Sequence, residues 1–377
     1  MGGLADEQDF AALAQPGIRG LRAYDPGLDL VALRRSHAGR LLIELGSNEN
    51  SHGPSPAARA AVLESLHALH RYPDPSGGDL KRALAAVHGV GIPSILLGNG
   101  SHELLMLLAQ VFAGPGLDVL ASRYGFAVYA LAAQAAGASL RLAAAHPHEH
   151  AMPRGHDLEA LAASLTPATR LVYLANPNNP TGTWFPTAAL AQFLATVPSN
   201  VLVVVDEAYL EYVTDPALVS ASTLLDRHAN LIVTRTFSKA YGLAGLRVGY
   251  LLAAPGLVAV LERARESFNV NGPGLAACEA ALSDAPHLAW VRAQNAIERE
   301  ALADALRARE LTVSPSQTNF LLVDFGRDAT SIEQGLVARG VVPRPMGGYG
   351  LPQCLRITVG HRDENRRLLQ ALDEVMA

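Results

Sequence analysis

The feature that most restricts the fold is an alternation of apolar runs with helical segments between residues 118 and 237. Five strand-like runs follow one another: DVLAS, SLRLAAA, RLVYLAN, NVLVVVDEAY and LIVTRTF. Segments with a helical pattern separate several of them, including one over residues 187–196. Short, continuous apolar strands separated by helices are typical of a largely parallel sheet that is covered on both faces. The sequence therefore predicts an α/β protein.

Polar residues follow several of these predicted strands. They occupy 176–182, 206–209 and 236–239, and the segment 122–129 follows a fourth strand. In open parallel sheets, ligands bind outside the carboxyl ends of the strands. We therefore expect one ligand site at this edge of the sheet.

Composition restricts the class of protein further. The chain has 377 residues, of which 49% are hydrophobic and 17% are charged, so two domains are expected. A formal net charge of −5 argues against nucleic acid as a partner. The histidines in AHPHEH, near residues 145–150, match no closed metal site, and no metal is predicted.

Two further features concern the compartment. Cys278 and Cys354 are too few for a disulfide framework, which favours a reducing environment. The first ten residues contain acidic side chains where a secretory leader has basic ones, and no long apolar run follows. We expect a cytoplasmic protein with small-molecule substrates and no membrane partner.

The stretch TRTFSKAYGLAGLRVGY contains the most distinctive chemistry. Lys239 lies between Thr236 and Ser238 on one side and Arg247 on the other, and glycines separate these groups. Two hydroxyls and a guanidinium form an anion site beside an amine. Pyridoxal phosphate needs this arrangement, because the amine forms a Schiff base with its aldehyde while the other groups hold its phosphate. The alternative for this segment alone is an exposed lysine on a glycine-rich loop.

A second anion site is predicted in LLGNGSHELLMLLAQVF. Two glycines open a helix there, and the free backbone N–H groups of Ser101 and His102 would face a phosphate. Ser101 is also expected to cap this helix. An ordinary helix start is the alternative.

Other side chains complete a cofactor site. Asp206 follows an apolar strand, where a carboxylate needs a partner such as a protonated pyridine nitrogen. Tyr209 and Asn179 are suited to the phenolic oxygen of the same ring, and Tyr124 to stacking on its face. Arg356 suits a substrate carboxylate. Each residue alone has an ordinary structural explanation, but their order along the chain favours pyridoxal phosphate chemistry.

The motifs also resemble those of a known family. NENxxGPSP, RYPD, GNGSxE, NPNNPTG, DEAY, TFSKAYGLAGLRVGY, FNVN, TNFLL and RPMGGYGLPxCLRITVG are similar to fold-type-I pyridoxal phosphate aminotransferases, and more narrowly to histidinol-phosphate aminotransferases. The resemblance implies an aspartate-aminotransferase-like fold with a mostly parallel seven-stranded sheet. It implies an N-terminal arm with part of the small domain over 1–44, a large cofactor-binding domain over 45–272 and a small α/β domain over 273–377.

The same resemblance assigns roles to residues. Lys239 would bind the cofactor and act as the general base. The cofactor phosphate would be held by Thr236, Ser238, Arg247 and the backbone of Ser101 and His102. Tyr72 would reach the cofactor phosphate of a neighbouring subunit, which implies a homodimer. Asn48 and Arg356 would hold the substrate carboxylate, and Tyr24 would lie near the substrate's own phosphate.

The implied reaction is ping-pong transamination between histidinol phosphate and 2-oxoglutarate. An aromatic amino acid aminotransferase is the nearest alternative, and a phosphothreonine decarboxylase is a more distant one. The effector domain of a transcription regulator is disfavoured, because only about forty residues precede the NEN motif. Departures from the family pattern at Ser51, His52, His102 and Ser267 concern the substrate more than the reaction.

Overall fold

Three sheets organise the computed structural model, which describes residues 7–23, 27–36 and 42–377. The strands, in chain order, are β1 Ile43–Glu44, β2 Ile95–Gly98, β3 Asp118–Ser122, β4 Ser139–Ala143, β5 Thr169–Ala175, β6 Leu202–Asp206, β7 Leu231–Thr236, β8 Gly249–Ala253, β9 Thr312–Val313, β10 Phe320–Asp324, β11 Val341–Val342, β12 Arg344–Pro345 and β13 Cys354–Thr358.

Helices cover these sheets. In chain order they are α1 Glu7–Leu13, α2 Pro16–Arg19, α3 Leu30–Ser36, α4 Pro56–Ser65, α5 Gly78–His88, α6 Ser101–Phe112, α7 Ala127–Ala135, α8 Leu158–Ala163, α9 Thr187–Thr196, α10 Pro255–Leu261, α11 Gly272–Ser283, α12 Ala285–Arg307, α13 Thr330–Ala338 and α14 Arg362–Met376. None of the helices in the described ranges is both long and apolar enough to cross a membrane.

The central sheet has seven strands in the order β2-β8-β7-β6-β5-β3-β4. Neighbours from β4 to β7 are parallel, whereas β8 is antiparallel to both β7 and β2. Apolar side chains from both faces are buried beneath helices, as expected for continuous apolar strands. The predicted mostly parallel seven-stranded sheet is confirmed.

Strand direction brings distant segments to one edge of this sheet. β5, β6 and β7 end there, so Asn179, Asp206 and Lys239 follow neighbouring strands. Because β8 runs the other way, it begins at this edge, immediately after Arg247. β2 is parallel to β7 and ends at the same edge, where α6 begins three residues later. The reversal of β8 therefore assembles the two predicted anion sites side by side.

The second sheet is antiparallel, in the order β12-β13-β10-β9, and packs with α12, α13 and α14 around a separate apolar core. β1 and β11 form a short parallel pair, which joins residues 43–44 to the C-terminal region. The boundaries at residues 44 and 272 stay predictions.

Sequence reasoning did not predict β2 and β8. Each is a short apolar run next to glycines, and glycines are typical of loops. The sequence therefore favoured loops for these segments. The expected cap at Ser101 is wrong: Gly100 is the N-cap, and Ser101 is the first residue of α6. The N–H of Ser101 therefore still belongs to the first turn, as an anion site requires.

Candidate active site

A cavity of about 610 Å³ lies at this edge of the central sheet. Its volume is suited to a cofactor-sized ligand. Most of the predicted site residues line it: Asn48, Ser101, His102, Asn179, Asp206, Tyr209, Thr236, Ser238, Lys239, Arg247 and Arg356.

Lys239 lies in the loop after β7, with its amine in the cavity. Its Nζ donates hydrogen bonds to the backbone carbonyls of Ser47 and Asn48, each at 3.2 Å. Burial, together with the positive charge of Arg356, lowers the pKa of the Lys239 amine to about 8. With that pKa roughly a tenth of the amine is neutral at pH 7, far more than for an ordinary lysine, so it can act as a nucleophile and base.

Asp206 ends β6 and is 5% exposed. Its hydrogen-bond partners are neutral: Tyr129 Oη donates to one carboxylate oxygen at 3.2 Å, Thr234 Oγ1 donates to the other at 3.1 Å, and the backbone N–H of Ala208 also donates to the carboxylate. Burial raises the pKa of this carboxyl to about 6, and the two hydroxyls oppose that rise. A buried carboxylate that faces a cavity is suited to a cationic ligand atom.

The start of α6 and the end of β7 form an anion pocket. Arg247 Nη1 donates to Ser238 Oγ at 3.1 Å, and the N–H of Ser238 donates to Thr236 Oγ1 at 3.1 Å. The backbones approach closely here, because a Cβ at Gly249 would collide with Ser101 N and one at Gly100 would collide with the Arg247 guanidinium. Hydroxyls, a guanidinium and helix N–H groups together suit a phosphate.

The cavity lining also contains Asn48 and Arg356, the residues predicted to hold a substrate carboxylate. Arg356, on β13, donates from Nη1 to Asn179 Oδ1 and from Nη2 to Gly46 O, both at 2.6 Å. Asn48 has φ of 55° and donates from Nδ2 to Tyr209 Oη at 2.9 Å. Residues from four separate segments are thereby linked around the cavity.

Two predicted residues, Tyr72 and Tyr124, are not among those that line the cavity, and the structure does not describe a third. Tyr24 lies outside the described residues. Tyr72 is 83% exposed and stacks on Phe268 with ring centroids 4.7 Å apart. Tyr124 is not among the residues that line the cavity; it packs beside the apolar cluster that includes Met346, and Phe126 lines the cavity instead. The predicted stacking role of Tyr124 stays a prediction.

Of the departures from the family pattern, His102 lines the cavity, where burial and Arg247 lower the pKa of its ring. His52 packs against Trp290, with ring centroids 4.9 Å apart.

Sequence reasoning missed two cationic residues of the cavity wall, Arg22 and Arg344. Arg344 lies directly opposite Arg356 in the antiparallel pair of β12 and β13, so the two side chains share a face. The signal was present in RPMGGYGLPQCLRIT, in which two arginines flank a glycine-rich turn. Reading that segment as a hairpin would have placed them together.

These residues fit pyridoxal phosphate. The Lys239 amine suits its aldehyde, the pocket at Ser238 and Arg247 suits its phosphate, and the buried Asp206 carboxylate suits its protonated ring nitrogen. A lysine, a carboxylate and a phosphate pocket at one end of a mostly parallel sheet define a pyridoxal phosphate enzyme of fold type I.

Comparison with known proteins agrees. The family model described as aminotransferase class I and II matches residues 40–372. Histidinol-phosphate aminotransferase 2 of Pseudomonas aeruginosa is 47% identical over 98% of this chain and 99% of that protein. The corresponding protein of Methylococcus capsulatus is 46% identical over 97% and 99%. The chain belongs to the class I and II aminotransferases, and within them to the histidinol-phosphate aminotransferase family.

Solved structures agree as well. Histidinol-phosphate aminotransferase from Sinorhizobium meliloti, in complex with pyridoxal-5′-phosphate, has a TM-score of 0.88 at 34% identity, with 96% of this chain and 97% of that one covered. A Thermus thermophilus aspartate aminotransferase variant has a TM-score of 0.83 at 19% identity over 96% and 99%, which shows the shared fold. The protein is therefore an aminotransferase, and its cofactor is pyridoxal phosphate, as predicted.

Proposed function

We propose that the protein transfers the amino group of histidinol phosphate to 2-oxoglutarate, which gives imidazole acetol phosphate and glutamate. The position of Arg344 opposite Arg356 on the cavity wall carries this proposal. Like charges directly opposite each other destabilise a sheet, so a bound anion between the two arginines would offset that cost. A substrate that carries a phosphate supplies such an anion. The relatives that carry this name support the same assignment.

An aromatic amino acid aminotransferase is a second candidate. Phe126, Leu131 and Met346 line the same cavity and would suit an aromatic ring. Histidinol phosphate carries a phosphate that phenylalanine lacks. Substitution of Arg344 therefore distinguishes the two proposals.

In the proposed mechanism, bound pyridoxal phosphate supplies an electron sink for the negative charge that develops at the substrate Cα. Lys239 Nζ takes the proton from Cα as general base. The Arg356 guanidinium holds a carboxylate in the half-reaction that uses glutamate or 2-oxoglutarate. Asp206 would hold its negative charge towards the protonated ring nitrogen, and Ser238 and Arg247 would hold the phosphate.

Steady-state kcat/KM for histidinol phosphate is expected to exceed that for phenylalanine. Arg344→Leu is expected to lower the value for histidinol phosphate on the order of 30- to 100-fold, because a charge-assisted hydrogen bond to the phosphate is lost. Arg344→Lys keeps the charge and should lose less. The value for phenylalanine should change only a few-fold in either variant. A wild-type preference for phenylalanine of about a hundredfold would support the aromatic alternative.

We further propose a homodimer with shared sites, located in the cytoplasm. Tyr72 is almost fully exposed beside Phe268, and Leu63, Leu66 and Leu69 are exposed just before it. Exposed apolar groups of this kind mark interaction surfaces. The two cysteines are buried free thiols, which fits the predicted compartment.

Mixing two inactive variants tests the shared site. In a hybrid of Lys239→Ala and Tyr72→Ala subunits, one of the two sites would receive both wild-type residues. After dissociation and reassociation, activity should return to roughly a quarter of the wild-type value, as random pairing of a symmetric dimer requires. Separately purified variants kept unmixed are the control. Sedimentation equilibrium of a monomer, or no recovery from a verified hybrid, would contradict the proposal.

A further inference from the structure

Tyr129 contacts Asp206 but is not among the residues that line the cavity. It also belongs to none of the family motifs. It lies in the first turns of α7, is 1% exposed, and donates from Oη to Asp206 Oδ2 at 3.2 Å. Its ring is fixed on two sides: it stacks on Tyr173 with centroids 4.8 Å apart at 4°, and Phe126 meets it edge-on at 5.9 Å. The hydroxyl is therefore held at the carboxylate by packing.

A hydroxyl at this position has a defined electrostatic effect. A hydrogen bond donated to a carboxylate stabilises its charged form, whereas burial favours its neutral form. Asp206 experiences both: burial raises its pKa, and hydrogen bonds from Thr234, Tyr129 and the N–H of Ala208, together with the charge of Lys239, oppose that rise. Asp206, Tyr173 and Tyr349 are the titratable groups that act on Tyr129, and burial together with Asp206 raises the pKa of Tyr129 well above its usual value. Tyr129 therefore remains a protonated donor throughout the working range of pH.

We propose that Tyr129 is a positioning residue, which fixes the orientation of the Asp206 carboxylate and keeps it ionised where it would meet the ring nitrogen of the cofactor. This inference rests on the role proposed for Asp206. It adds that the ionised state depends on a tyrosine of α7, 77 positions away in the sequence. Thr234 donates to the other carboxylate oxygen, so the two hydroxyls together set the plane of the carboxylate.

The chain offers a matched control for this idea. Tyr173 is equally buried, stacks on Tyr129, and donates its hydroxyl to the backbone carbonyl of Leu105 at 2.8 Å, away from Asp206. Tyr129→Phe and Tyr173→Phe each remove one buried hydroxyl from the same aromatic pair. Only the first removes a donor from Asp206.

Affinity for pyridoxal phosphate is measured for the wild type and both variants between pH 5 and 9, by titrating cofactor-free protein and following the visible absorbance. In Tyr129→Phe we expect the midpoint of the pH dependence to rise by about one unit, because the carboxylate loses a donor to its charged form. Affinity should then be lower by up to about tenfold below pH 6 and close to wild type above pH 8. Tyr173→Phe should keep the wild-type midpoint.

A midpoint in Tyr129→Phe that coincides with those of the wild type and Tyr173→Phe would overturn the inference. An equal shift in both variants would do the same, because it would show a general packing effect. Melting temperatures of the cofactor-free proteins establish that both variants fold. Asp206→Asn separates the proposed role of Asp206 from the proposed role of Tyr129. If that variant binds cofactor as tightly as the wild type, the role of Asp206 itself fails; if only Tyr129→Phe is without effect, this inference alone fails.

Discussion

Lys239→Ala is expected to lose covalent attachment of the cofactor and to lower turnover on the order of 10⁴-fold or more, because the proposed mechanism uses this one amine as both nucleophile and general base. The sequence contains two lysines, Lys239 and Lys81. Lys81 lies on α5 and pairs with Glu262 at 3.1 Å. Lys81→Ala is therefore a matched control that should keep both attachment and turnover.

Borohydride reduction followed by peptide mass spectrometry locates the attachment directly. The label should appear on the peptide that contains residue 239, and none should appear in Lys239→Ala. Because the pKa of Lys239 is lowered to about 8, the rate of attachment to cofactor-free protein should rise about tenfold per pH unit below 8 and level off above it. Normal transamination by Lys239→Ala would refute the assignment.

Asp206→Asn is expected to lower kcat/KM on the order of 10²- to 10³-fold, because the amide keeps the shape of the side chain and removes the charge proposed to face the ring nitrogen. Cofactor affinity should fall as well. In the wild type, affinity should decline as the pH falls through about 6, where the carboxyl becomes neutral. In Asp206→Asn the cofactor affinity should not decline in this way, because residue 206 then has no carboxyl to titrate.

Stability of the cofactor-free protein has the opposite pH dependence. The folded-state pKa of Asp206 is raised, so the folded protein binds a proton more tightly than the unfolded chain does. The contribution of this residue therefore favours folding as the pH falls from about 6 towards 4. In denaturant unfolding across that range, the free energy of unfolding of the wild type relative to Asp206→Asn should show this trend. Identical slopes in the two proteins would contradict the raised pKa.

Much of the fold and site follows from local sequence patterns. Continuous apolar runs predicted five strands of the central sheet, and the end of each parallel strand located Asn179, Asp206 and Lys239 at one edge. The position of Asp206 after an apolar run was informative, because a buried carboxylate in that place needs a partner.

Other features depend on contacts that no local pattern encodes. The opposition of Arg344 and Arg356 is set by the pairing register of two strands. Tyr129 lies in the apolar helix AVYALAAQA and looks like an ordinary core residue until the fold brings its hydroxyl to Asp206. The sequence also did not indicate that Phe126, two residues after Tyr124, lines the cavity.

The position of β8 between β2 and β7 also affects the order of events as the polypeptide emerges from the ribosome. Gly98 pairs with Gly249, so the phosphate pocket joins segments that are synthesised about 150 residues apart. Contacts between such distant segments form late, because a long loop must close first. A nascent chain that has not yet produced residue 253 lacks the strand that holds Arg247 beside α6. We therefore expect pyridoxal phosphate to be held only by chains whose central sheet is already complete.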